Sequence, residues 1–139
     1  MIVGKGFAHN KPCQQRFRRF YKLIPSHILI LLARCRVFYD GRAKSQLEEG
    51  DRVIIIKPDG TFLIHKDKKR EPVNWQPPGS KIFLSIEGDN FILKSIRQKP
   101  KEELKVVISN VYHACAFKCD DCEELNLTGS EAEMAELIF

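Results

Sequence analysis

The order of apolar and polar positions divides the chain into one helical stretch followed by a series of short β-rich runs. Phe17, Phe20, Tyr21 and Ile24 recur at spacings of three and four, and Arg16, Arg18, Arg19 and Lys22 fill the positions between them. That spacing predicts a short amphipathic basic helix with one apolar stripe. Pro25 ends it, because proline brings no backbone donor and clashes with the preceding turn. The apolar face is small, so docking onto a core is expected rather than a membrane-surface role. From Ser26 onward the period changes to two. Ile28 to Tyr39 predicts a first strand, and Val53 to Lys57 and Thr61 to His65 flank Pro58-Asp59-Gly60 as a hairpin. Lys81 to Glu87 and Phe91 to Arg97 flank Gly88-Asp89-Asn90 as a second hairpin, and Leu104 to Phe117 alternates as a further strand. Six strands with an early helix predict a mainly β domain, a small antiparallel sandwich or partly closed barrel.

The two ends read differently from this centre. Residues 1 to 12 hold two glycines, a proline and little periodicity, and are expected to be poorly ordered. The β-domain is expected over 13 to 126. In 127 to 139, Ser130-Glu131-Ala132-Glu133 is a capping box, whose serine and glutamate side chains satisfy backbone donors at a helix start. Met134, Leu137 and Ile138 begin an apolar face, with no glycine, basic last turn or proline to stop it. This segment reads as the first part of a longer helix, so truncation is expected.

Composition narrows the class. At 139 residues and 43% hydrophobic content the chain suffices for one domain with a core, which buries about two-thirds of its unfolded surface, and not for two. The net charge of +5 favours a polyanionic partner without identifying one. Its distribution is more telling: residues 1 to 81 carry 17 basic and 7 acidic side chains, and residues 82 to 139 carry 6 and 11. The opening lacks the pattern of a secretory signal, and the longest apolar run, Ile28 to Ala33, is far short of the roughly 20 residues that cross a bilayer. No membrane partner is therefore expected. Five unevenly spaced cysteines predict reduced thiols and a cytoplasmic protein rather than a disulfide framework.

Candidate chemistry centres on Lys66 to Ser80, KDKKREPVNWQPPGS, in which four basic residues, Lys69 and Arg70 among them, precede the single tryptophan, Trp75. Cations meet backbone phosphates and a flat π-surface meets unpaired bases, so this pairing suits a reader of single strands or flipped bases. The plainer reading, a core tryptophan beside a solvated hairpin tip, is equally open on these residues alone. Pro72, Pro77 and Pro78 tilt the balance, since they restrict the backbone around Trp75 and lower the entropy its ring would lose on binding. Tyr39-Asp40-Gly41-Arg42-Ala43-Lys44 adds an aromatic and two cations around a tight turn at the end of the first strand, weak evidence when taken alone.

Three long strings carry a family resemblance. Ala33-Arg34-Cys35-Arg36-Val37 leads through Tyr39 to Ser45. Gly50 to Gly60 and Arg70 to Ser80 follow in the same order. Together with Leu127 to Met134 they resemble the N-terminal region of archaeal NucS/EndoMS endonucleases, over roughly residues 26 to 139. The resemblance implies a half-closed, PH-like antiparallel β-domain that forms a homodimer and holds DNA, followed in the family by a RecB-like nuclease domain. The family cuts branched or single-stranded DNA ends and, as EndoMS, mismatched duplexes, using a divalent metal. Carried over by motif, Arg42 and Arg70 contact DNA, with Lys44 and Lys69 as further phosphate partners. Trp75 stacks on a base, with Tyr39 and Asn74 close by. A mismatched base is also the one that costs least to take out of its stack. The family's nuclease domain and its sliding-clamp-binding tail have no counterpart in this sequence. No cofactor is therefore expected in the chain itself, Mg²⁺ or Mn²⁺ belongs to the nuclease part, and binding without cleavage is expected.

Three patterns compete with this reading. Pro58-Asp59 with Glu103-Leu104-Lys105 mimics a metal-dependent nuclease signature, the basis for an alternative in which the chain itself cuts DNA; a hairpin turn accounts for Pro58-Asp59 without it. Cys115, Cys119 and Cys122, with His113, have a spacing that suits zinc or an iron–sulfur cluster. A strand cysteine followed by two in an acidic loop is the simpler account, and zinc stays open. His65 reads as an edge-strand histidine, and His9 and His27 have no partner at informative spacing. The third alternative is a remnant that keeps the fold and binds nothing.

Overall fold

A computed structural model describes residues 11 to 120. Its elements are α1 (Lys11–Tyr21), β1 (Ile28–Asp40), β2 (Lys44–Ile56), β3 (Phe62–His65), β4 (Asn74–Gln76), β5 (Lys81–Glu87), β6 (Asn90–Gln98) and β7 (Lys101–Phe117). The strands form one antiparallel sheet in the order β4-β3-β2-β1-β7-β6-β5. The domain is mainly β and half-closed, and the sandwich alternative falls away because there is a single sheet.

Chain connectivity forces the sheet to curl. Its two edge strands, β4 and β5, are consecutive in sequence and joined only by residues 77 to 80. A flat seven-stranded sheet would hold its edges about 29 Å apart at the usual strand spacing, whereas five fully extended residue steps reach about 18 Å. The edges are therefore drawn together, although the ladder does not pair them. The link is pinned to the β2–β3 turn, where the Gly79 N–H donates to the Asp59 carbonyl at 2.8 Å. Gly60 permits this approach. Its φ is +94°, and a Cβ there would strike the Ser80 backbone.

Bulges add to the bend. β1 runs opposite β7 from Ile28↔Phe117 to Asp40↔Glu103, with register shifts between Leu32 and Ala33 and between Arg34 and Cys35. Another shift interrupts the β1–β2 ladder between Cys35 and Val37. Extra residues in one strand of a pair increase local twist.

On the concave side Leu29, Leu31, Ala33, Cys35 and Val37 alternate inward, and Ile54, Ile56, Phe62, Ile64, Leu93, Leu104, Val106 and Ile108 complete the core. Helix α1 supplies the missing wall. Phe17 is fully buried, with its ring edge-on to Phe91 at 5.1 Å, and Ile24 is buried just beyond the helix end. The Tyr21 hydroxyl donates to the Ile82 carbonyl and accepts from the Leu84 N–H, each at 3.2 Å, and so occupies backbone groups on the edge strand β5. The amphipathic stripe thus docks as the sequence predicts.

The structure corrects the sequence reading at three places. There are seven strands rather than six, since residues 74 to 76 within the proline-rich loop form β4. β2 begins at Lys44, not Val53, because the polar stretch Lys44 to Asp51 pairs with the far half of β1 while its side chains stay largely exposed. The helix starts at Lys11, inside the stretch expected to be poorly ordered. Residues 1 to 10, Cys122 and the 127 to 139 helix lie outside the described residues.

Candidate nucleic-acid interface

The β3–β4 loop leaves the sheet in the direction in which β1 runs to the β1–β2 hairpin turn. β1 ends at Asp40, and the turn that follows carries Arg42 and leads into Lys44. β3 is antiparallel to β2, and β2 to β1, so β3 points the same way as β1. The basic loop with Lys69 and Arg70 therefore leaves β3 toward the β1–β2 turn and returns through Val73, whose N–H donates to the Ile64 carbonyl at 2.8 Å. Lys69 sits at φ +66°, a left-handed conformation unfavourable for lysine, so the loop tip holds a shape the chain would not adopt freely.

A concavity of about 270 Å³ opens between β4 and the ends of β1, β6 and β7, bounded by Tyr39, Asn74, Trp75, Gln76, Arg97 and Glu102. That is below the roughly 300–1,000 Å³ of pockets enclosing drug-sized ligands, a scale suited to one heterocycle. Trp75 is 59% exposed, which removes the reading of a core tryptophan. As the middle residue of a three-residue edge strand paired with Leu63, it is held by a ladder on one side and stands open on the other.

The opposite wall is tied together by a carboxylate. Glu102 accepts a hydrogen bond from the Tyr39 hydroxyl and one of 3.2 Å from the Arg97 guanidinium. The Tyr39 bond, helped by Arg97 and the nearby Arg42 charge, holds the Glu102 carboxyl below the usual carboxylate range. The same bond, with some burial, pushes the Tyr39 phenol up. Gly41 makes room for this arrangement, since a Cβ there would run into the Tyr39 ring and hydroxyl. The phenol is thereby fixed in place.

The cations differ in their surroundings. Arg70 is 92% exposed and bonds Glu71 at 2.9 Å, an exposed pair of neighbours worth little. Arg42, Lys44 and Lys69 are exposed. Arg97 is half-exposed at the concavity and was not foreseen: in sequence it is one basic residue in an alternating strand, and only the β6–β7 ladder, with Arg97 opposite Glu102, brings it to the site. Gln76, next to Trp75, was also missed. It is 1% exposed, and its side-chain Nε2 has no hydrogen-bond partner. The structure thus brings Tyr39, Asn74 and Trp75 to one concavity, places Arg42 beside it, and leaves Lys44, Lys69 and Arg70 outside its lining.

The competing patterns come apart. Asp59 accepts the Thr61 N–H at 2.9 Å within its turn. It follows Ile56, which pairs with Leu29, whereas Glu103 pairs with Asp40 at the other end of β1. Eleven strand positions, on the order of 35 Å of strand, lie between those levels, so the two acids cannot share an ion whose oxygen ligands stand about 2.0–2.6 Å away. Among the described residues no group of three or more His, Cys, Asp or Glu is placed to hold a metal. Cys35, Cys115 and Cys119 are free thiols, and burial pushes the Cys35 thiol up. No helix among the described residues is long and apolar enough to cross a membrane.

A curled sheet of this topology, plugged by one helix and edged at its mouth by aromatics and cations, defines a PH-like β-domain. Residues 25–124 match the family model described as the endonuclease NucS N-terminal PH-like domain. The chain belongs to the endonuclease NucS family. It is 69% identical to the endonuclease NucS of Methanocaldococcus jannaschii, with all of this chain and 53% of that protein aligned. With the Pyrococcus furiosus endonuclease NucS it shares 66% identity over all of this chain and 51% of that one. Among solved structures, a chain of the EndoMS–dsDNA2 complex superposes with a TM-score of 0.71 at 62% identity, covering 84% of this chain and 48% of its own. EndoMS in its apo form superposes at 0.73 and 51% identity, covering 91% of this chain and 52% of its own. The chain spans about half the length of the curated relatives it matches.

Proposed function

We propose that this domain is the DNA-gripping half of a structure- or mismatch-specific endonuclease, and that it captures a base that has lost its pairing. The observation that carries this reading is the exposed Trp75 on the rim of a base-sized concavity whose other wall is the immobilised Tyr39. Two aromatic surfaces can take up the faces of one base, and stacking on such a ring contributes about 1–3 kcal/mol per base. Arg42, Arg70, Lys44 and Lys69 hold the flanking phosphates, the guanidinium groups as planar, permanently charged forks. Asn74 lies beside the base. Single-stranded, branched and mismatched DNA all offer the unpaired base that this arrangement requires, and extruding it costs least at a mismatch. The solved EndoMS–dsDNA2 complex of a 62% identical chain supports DNA as the ligand.

In the assembly we infer, two copies of the domain dimerise, so that two such concavities address one DNA. Cleavage belongs to a RecB-like nuclease domain using Mg²⁺ or Mn²⁺, sliding-clamp contact belongs to a C-terminal tail, and the setting is the cytoplasm. Titrating the 139-residue chain with fully paired DNA and with the same DNA bearing one mismatch tests the reading. Trp75→Ala is expected to weaken the mismatched complex by about 1–3 kcal/mol and to spare the paired one. Equal loss on both would make the ring structural and refute base capture.

A further inference from the structure

We infer that the outer, convex face of the sheet carries a second path for unpaired DNA, in which Phe83 and Phe38 take up bases and Lys94, Lys105 and Arg36 take up phosphates; this rests on the reading of DNA as the ligand. The ladders set the central side chains in one row. Phe83 pairs with Lys94, Lys94 with Lys105 and Lys105 with Phe38, and directly paired residues of an antiparallel sheet turn their side chains to the same face. That face is the outer one, because the strand neighbours Leu93, Leu104, Val106 and Val37 point into the core. Phe83 is 47% exposed, and three strand spacings, about 14 Å, separate it from Phe38.

The charges of the row point to an anionic ligand. Lys94 and Lys105 stand directly opposite each other, an arrangement of like charges that destabilises a sheet. The carboxylates of Asp40 and Glu103 occupy the next row toward the β1–β2 turn, and neither ion-pairs with either lysine among the described residues. A phosphate over the row would meet both ammonium groups and relieve their repulsion. At the far end the Arg36 guanidinium lies over the Phe38 ring, 5.8 Å from its centroid, so that a cation and a π-surface are presented together. Rings alternating with cations across a sheet suit a single strand, since every base offers a π-face and every nucleotide a phosphate. Intact duplex keeps its bases stacked and cannot use the rings. Tyr39 joins this path to the base-capture site. It borders both the concavity beside Trp75 and a second one of about 480 Å³ lined by Phe38, Gln46 and Lys105. A strand whose base is held at Trp75 can therefore continue over the end of β1 onto the outer face.

The test compares a blunt duplex bearing one mismatch with the same duplex extended by single-stranded thymidine arms. The 139-residue chain is expected to bind the forked DNA about tenfold more tightly than the blunt one. Phe83→Ser, and Lys94→Gln combined with Lys105→Gln, are expected to abolish that gain while keeping wild-type affinity for the blunt mismatched duplex. Lys94→Gln alone should melt at or above the wild type, since a like-charge pair has been removed. The inference is overturned if the arms add nothing to wild-type binding, if the variants keep the gain, if they lose affinity for blunt DNA to the same degree, or if Lys94→Gln melts well below the wild type. Trp75→Ala keeps the two proposals apart, because it should weaken blunt mismatched binding and retain the gain from the arms. Blunt mismatched binding that Trp75→Ala leaves intact refutes base capture and leaves the outer path standing, whereas an arm effect absent from every protein refutes only the outer path.

Discussion

Tyr39, Glu102 and Arg97 show how a few side chains fix one wall of a concavity. Because Tyr39 and Arg97 stabilise the ionised Glu102, its folded-state pKa lies below the ordinary value. Its contribution to stability is then complete above the ordinary glutamate range and is lost as pH falls through the lower, folded-state value. Tyr39 shifts the other way, so its share persists below the ordinary tyrosine range and fades as pH rises toward the raised value. Urea unfolding of wild type and Glu102→Gln is expected to differ at neutral pH and to converge as pH falls through the lowered value at which the folded-state carboxyl protonates; a gap that stays constant into acid would refute the assignment. Arg70 makes a contrasting case, since its exposed pair with Glu71 leaves little stability at stake. Arg70→Ala should leave the melting temperature nearly unchanged, weaken DNA binding with little dependence on sequence, and flatten the salt slope by about one unit. An unchanged slope would remove Arg70 from the phosphate path.

Helix α1 and strand β5 depend on one another, which a pairing diagram alone would hide. β5 is a sheet edge, and the Tyr21 hydroxyl closes two of its backbone groups. Tyr21→Phe keeps the ring and loses both bonds, an expected cost of about 1 kcal/mol and a few degrees of melting temperature in a domain of this size. Phe17→Ala empties a fully buried site and should cost about 3–5 kcal/mol. A Phe17→Ala loss below 1 kcal/mol in chemical denaturation would mean that the helix is not part of the core. These elements were largely legible in the sequence, because burial on one face writes a period of 3.6 or 2 directly into residue order. The stretch from Lys44 to Asp51 was not, because a strand whose side chains stay exposed is under no pressure to alternate, and only pairing with β1 makes it a strand. β4 was hidden for a related reason, being three residues long between prolines. The site was legible where chemistry is local, at Trp75 and at Tyr39 with Arg42. Arg97 and Glu102 come from β6 and β7, and only the curl of the sheet brings them near Trp75, whereas Gln76 adjoins Trp75 in β4 and its polar side chain gave no sign of burial.

Curvature gives the whole molecule its functional shape. A four-residue link between edge strands, a glycine-permitted contact at Gly60 and bulges along β1 and β7 turn a flat ladder into an open half-barrel whose mouth carries aromatics and arginines. The excess of basic residues before position 82 places the Arg42 and Lys66 to Arg70 segments in the cationic half of the chain, so general DNA affinity should fall steeply with salt. Recognition of the unpaired base should depend on salt far less, since stacking releases no counterions. The most direct test is a thermodynamic cycle pairing the ring with the base: wild type and Trp75→Ala, each titrated with DNA carrying one unpaired base and with the same DNA abasic at that position. A coupling energy of about 1–3 kcal/mol is predicted, with the abasic substitution costing the wild type more binding than it costs Trp75→Ala, which keeps only the Tyr39 face. A coupling near zero, with the two losses simply additive, would contradict base capture by this domain.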